Sequence, residues 1–129
     1  MSKFFDFLNN LFTPKKSEIT FPKISLGYRC EDIVYETEED KLYIDATLSD
    51  EIRIEAASIH TWNKDRRIIS EIDKTFIFEN ILAFVEKGGK RKPVIIIREN
   101  HQKEFWTELC ERNKNKIKAI QYEADYQRP

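Results

Sequence analysis

Leu42, Ile44, Ala46 and Leu48 alternate with Tyr43, Asp45 and Thr47, the period of two that puts apolar side chains on one face of a β-strand. Residues 32–37 form a second such run just upstream. The polar Glu38, Glu39 and Asp40 between the two runs predict a hairpin turn. Ile52, Ile54 and Ala56 then alternate with Glu51, Arg53 and Glu55, which predicts a third strand, antiparallel to the second and running on towards Trp62. Pro22 cannot donate to a ladder, so residues 19–26 are expected as an edge strand or a loop.

The period changes to that of a helix after Ser70, which with Asp73 makes an acidic variant of the capping box. Ile77, Ile81, Phe84 and Val85 form one stripe, and Phe78 and Leu82 a second. This predicts a main core helix of about 25 Å, ended by a left-handed cap at Gly88 and Gly89. Residues 93–97 are β-branched and continuously apolar after Pro93, as a strand covered on both faces requires, so this strand is expected to be central or nearly so. Asn100 is the expected cap of a second helix with Phe105, Trp106, Leu109 and Cys110 on one face, and residues 113–115 close it. Ile117, Ala119 and Tyr122 give a last strand, so residues 94–122 read as a β-α-β unit with parallel strands. The expected core centres on Ile77, Ile81, Phe84, Val85, Val94, Ile96, Phe105 and Leu109.

At the start of the chain Phe4, Phe5, Leu8, Leu11 and Phe12 share one helical face, and Pro14 stops the pattern. The resulting plan is an amphipathic helix over 1–13 and a single α+β domain over 18–125. Its sheet is mixed, an antiparallel hairpin and meander followed by the β-α-β unit, packed with two main helices plus the N-terminal one. Asp6, Asn9 and Asn10 break any apolar signal-peptide region, and no apolar run approaches the ~20 residues that span a bilayer, so no integral membrane association is expected.

Charge adds what hydropathy does not. The chain has a formal net charge of −1, yet residues 31–55 carry ten carboxylates against Lys41 and Arg53, a local net charge of −8 balanced by basic flanks. A surface of one sign accelerates encounter with a partner of opposite sign, so it speaks to association rather than fold. Overall acidity counts against nucleic acid as the principal partner, because phosphate neutralisation supplies most non-specific affinity. Lys87, Lys90, Arg91 and Lys92 form a basic loop without P-loop spacing or an interleaved aromatic, and read as a solvated loop.

No catalytic motif accompanies the acidic run. His60 and His101 are the only histidines, with no standard metal-ligand spacing around either, so no metal and no cofactor is expected. Cys30 and Cys110 are isolated, which fits a reducing compartment, and Cys110 falls on a core stripe as an inert small hydrophobe. Hairpin carboxylates are usually solvated rather than held in a cleft with separated pKa values, so the chain is not expected to be an enzyme. The expected protein-binding residues are Glu36, Glu38, Glu39, Asp40, Asp45 and Glu55, with Trp62 as a candidate anchor for which packing is the favoured reading.

A hairpin, a strand ending at Ser58, Ile59 and Trp62, and a helix carrying Ile69, Ser70, Asp73, Lys74, Ile77, Asn80 and Ile81 together resemble small immunity proteins of bacterial polymorphic toxin systems of the contact-dependent inhibition type. The resemblance covers about residues 32–97. It implies a cytoplasmic, non-catalytic antidote that binds a cognate toxin domain and blocks its active site or its access to target. The acidic face, judged on charge alone, suits a basic toxin. A different class of reading is a cytosolic accessory or membrane-peripheral domain that docks through the Phe-rich N-terminal helix.

Overall fold

The computed structural model describes residues 21–27, 31–89 and 91–125. The N-terminal helix expected over 1–13, Cys30 and the last four residues lie outside the described residues. Six strands, β1 (Lys23–Leu26), β2 (Asp32–Glu36), β3 (Lys41–Leu48), β4 (Ile52–Glu55), β5 (Val94–Arg98) and β6 (Ala119–Glu123), form one sheet in the order β1-β2-β3-β4-β5-β6. The first three junctions are antiparallel, and β4-β5 and β5-β6 are parallel. Helix α1 (Glu71–Gly89) connects β4 to β5, and α2 (Lys103–Arg112) connects β5 to β6. The chain is thus α+β with a mixed sheet, as the hydropathy pattern predicts. The parallel half, however, is two β-α-β units in series rather than one.

Strand period decides which face is covered. In β2 and β3 the buried residues are Ile33 and Tyr35, and Leu42, Ile44 and Ala46, and the register places Ile33 opposite Ile44 and Tyr35 opposite Leu42. This face continues through Ile54 and Ile95, which pair with each other. Both helices pack on it side by side. Phe78 of α1 meets Trp106 of α2 edge-on at 5.6 Å between ring centroids, and Asn113 Nδ2 donates to Glu79 Oε2 at 3.2 Å. No described helix lies on the second face, which carries Glu36, Tyr43, Asp45, Arg53 and Glu55.

The main helix starts as its sequence dictates: the Asp73 amide donates to Ser70 Oγ at 3.2 Å, with Glu71 and Asp73 in the first turn. At 100° per residue, Ile77, Phe78, Ile81, Leu82 and Val85 span one arc, and all five are buried. Phe84 lies at the edge of that arc and is half-buried, as is Phe105 at the edge of α2; Phe78 and Trp106 take the central places expected of them. Four further expectations are corrected. β4 stops at Glu55, because a 3-10 turn (Ala56–Ser58) bends the chain: Ser58 Oγ donates to the Glu55 carbonyl at 2.7 Å and accepts from the Asp45 amide at 2.9 Å. Gly88 and Gly89 remain helical, and no described glycine has a positive φ. Asn100 does not cap α2; Gln102 does, in left-handed backbone (φ 51°, ψ 48°), while Asn100 Oδ1 meets His101 Nδ1 at 2.7 Å. β5 is not at the middle of the sheet but next to its last strand, and is buried from Val94 to Ile97 nonetheless.

Candidate functional site

The turn between β2 and β3 is built by its own polar groups. Thr37 and Asp40 close it through the Thr37 amide and the Asp40 carbonyl at 2.8 Å, and Thr37 Oγ1 accepts from the Asp40 amide at 3.0 Å. Asp40 Oδ1 then accepts from the Lys41 amide at 2.7 Å and, across the fold, from the Lys64 amide at 2.8 Å. A carboxylate between two amide donors pins the turn to the loop that follows the 3-10 turn. Asp40 is 9 % exposed and therefore structural, whereas Glu38 and Glu39 at the tip are exposed.

Beside this turn lies an open groove of about 500 Å³. Its apolar wall is Phe21, Tyr35, Trp62, Phe76 and Ile77. Its rim carries Glu38, Glu39 and Asp73 against Arg67. Four of the seven expected binding residues, Glu38, Glu39, Asp40 and Trp62, thus come together in one place. Trp62 is 8 % exposed and belongs to the hydrophobic core, so it forms the groove's floor rather than a projecting anchor.

The other three sit elsewhere. Glu36 and Asp45 occupy the second face, where Glu36 is opposite Lys41 and Asp45 opposite Asp32. Glu55 is buried and clamped by Arg98, whose Nε donates to both carboxylate oxygens at 3.0 Å and whose Nη2 donates to Oε1 at 2.6 Å. Its charge is consumed inside the protein.

Helix α1 supplies the residues that sequence reasoning missed. Phe76 is 56 % exposed and Ile72 83 % exposed, one helical turn apart on the side of α1 away from the core. The signal was present, since the run Phe76, Ile77 and Phe78 turns through about 200° and cannot all face inward. His60 and His101, 41 residues apart in sequence, also meet, with ring centroids 5.7 Å apart in a T-shaped contact. Cys110 is buried, and burial pushes its thiol up to about 12, the inert state expected of it. Among the described residues no group of three or more His, Cys, Asp or Glu side chains is placed to hold a metal ion, and no helix is long and apolar enough to cross a membrane. Comparison with family models, curated proteins and solved structures returned no match.

Proposed function

We propose that this protein is a non-catalytic, cytoplasmic binding protein of the immunity type, which neutralises a cognate toxin domain by presenting the groove beside the β2-β3 turn. One observation carries the reading: exposed carboxylates, Glu38 and Glu39, rim the same groove as the exposed ring of Phe76. An apolar anchor within a charged rim is the anatomy of a protein interface, in which the buried ring supplies affinity and the rim charges steer encounter. The sign of the rim selects a basic surface on the partner. Asp73 strengthens that sign, and Arg67 on the same rim gives the face a register.

The test begins with the neighbouring gene: where it encodes a toxin domain, binding to that domain and protection against it are measured. Converting Glu38 and Glu39 to Lys should slow association by about tenfold and flatten its salt dependence, because steering charges act on the on-rate. Phe76→Ala should act on dissociation instead. Unaltered rate constants in both variants would reduce the groove to a solvated surface and remove this reading.

A further inference from the structure

On the other side of Trp62 from that groove's acidic rim lies a different chemistry. Two adjoining hollows, of about 190 and 520 Å³, share Ala57, His60 and His101 as a common wall. Lys74 and Gln102 line the smaller, and Tyr43 and Arg66 the larger. Among the described residues neither is lined by a carboxylate. Among the described residues Lys74 takes no part in a salt bridge, and its Nζ donates to the neutral amide oxygen of Gln102. Glu71, the carboxylate that acts on Lys74 from the same helix, is itself engaged by Gln102 Nε2 at 3.1 Å.

Lys74 occupies a revealing place. It falls in the centre of the buried arc of α1, between the directions of Ile77 and Phe78, and is only 2 % exposed. A hydrophobic residue would fill that position at no electrostatic cost, whereas an ammonium withdrawn from water needs a counter-charge. His60 is exposed and His101 half-buried, so the ammonium forms the inner wall and the imidazoles the mouth.

We propose that this crevice is a binding site for a tetrahedral oxyanion, free or as the terminal group of a phosphomonoester, held by Lys74 with His60 and His101. The anion supplies a counter-charge in direct contact, where among the described residues Glu71 acts on Lys74 only from beyond salt-bridge reach. The larger hollow, with Tyr43 and Arg66, has room for the body of an ester. Lys74, His60 and His101 do not line the proposed toxin-binding groove, although the larger hollow shares Trp62 with it, and the proposal does not rest on that groove's role.

Binding on this geometry is linked to protons. Partial burial, Lys74 and His101 all hold the His60 imidazole below its ordinary value, while burial pulls Lys74 down and Glu71 opposes that. Among the described residues the charged and titratable groups around the rings include Lys74 and Glu71 of α1, His101, and Arg66 and Tyr43 of the larger hollow. A bound dianion reverses the repulsion between the cations, so it must raise the imidazole pKa, and affinity must rise as pH falls, by up to about tenfold per pH unit for each proton taken up.

The chain has two histidines, so each ring can be followed separately by NMR. Titration from pH 8 to 5 should show the His60 imidazole pKa raised in 10 mM sulfate relative to chloride at equal ionic strength, sulfate being dianionic throughout, with the His101 ring resonances moved by the same additions. Lys74→Met, which keeps the stem and removes the charge, should weaken that response at least tenfold in sulfate concentration. Inorganic phosphate and phenyl phosphate then distinguish the sources: tighter binding of the ester assigns the larger hollow to an ester's body, and equal binding assigns the site to the free anion. Identical titration curves of the native chain in chloride, sulfate and both phosphates would overturn the proposal, whatever the fate of the variant. So would an undiminished response in folded Lys74→Met.

Discussion

Arg98 reaches from the end of β5 to the end of β4 and grips Glu55 through three contacts, with Nη2 2.6 Å from Oε1. The Glu55 side chain is 7 % exposed and that of Arg98 22 %. Glu55 is the register partner of Ile96, so the pair lies over the parallel junction of the sheet. Removing the Glu55 charge takes these three contacts from a largely water-excluded guanidinium, and removing Arg98 leaves a buried carboxylate without them. Glu55→Gln should therefore destabilise the protein by about 3 kcal/mol, whereas Glu55→Leu combined with Arg98→Met should recover most of that loss. Urea titration of the three proteins decides it. A loss below about 1 kcal/mol in Glu55→Gln would place the pair among surface salt bridges.

Phe78 is fully buried against Trp106, while Phe84 is half-buried at the rim of the core. Phe78→Ala should cost about 3–5 kcal/mol through lost burial and a cavity. Phe84→Ala should cost clearly less, since solvent fills the space it leaves. Equal midpoints for the two variants in denaturant would mean that the core is centred elsewhere on α1.

Period carried most of the fold. The alternation of Leu42, Ile44 and Ala46 and the Ser70 cap report local geometry, and local geometry is what a sequence encodes directly. The departures come from tertiary contacts. The strand through Ile54 looked able to continue to Trp62, but Ser58 bonds back to Glu55 and across to Asp45, 13 residues away. Phe84 matched the helical stripe, yet the arc that faces the sheet is centred nearer Lys74 and Val85. The candidate site was legible only as charge. That Glu38 and Glu39 rim a groove floored by Trp62, while Glu55 is spent on Arg98, depends on pairings up to 43 residues apart. The crevice of His60, Lys74 and His101 left no trace in spacing at all.

The His60 ring gives the protein a pH-dependent contribution with a definite sign. Its folded-state pKa lies below the ordinary 6.5, by partial burial first and then by Lys74 and His101. Between the folded value and the ordinary one the unfolded chain binds more protons, so stability falls as pH drops through 6.5 and levels off below the folded value. The slope is shallow, because the ring is solvent-exposed. His60→Asn should flatten it. Unfolding free energies measured in chloride buffers from pH 8 to 5 supply the comparison, and parallel curves for the native chain and the variant would discard the assignment.

Glu38, Glu39 and Asp40 are consecutive acids of one turn with opposite duties. Asp40 Oδ1 accepts the Lys41 and Lys64 amides, while Glu38 and Glu39 are exposed on the rim of the groove. Asp40→Ala strands two amide donors and should cost about 1–3 kcal/mol, since hydrogen bonds to a charged acceptor are the stronger class. Reversing Glu38 and Glu39 should leave stability within about 0.5 kcal/mol, as surface changes away from such features do. A charge-reversal experiment that includes Asp40 would therefore confound binding with folding, and one restricted to Glu38 and Glu39 would not. Thermal melts of the single and double variants separate the two duties: an Asp40→Ala melt that coincides with the native one would show that Lys64 does not depend on that carboxylate.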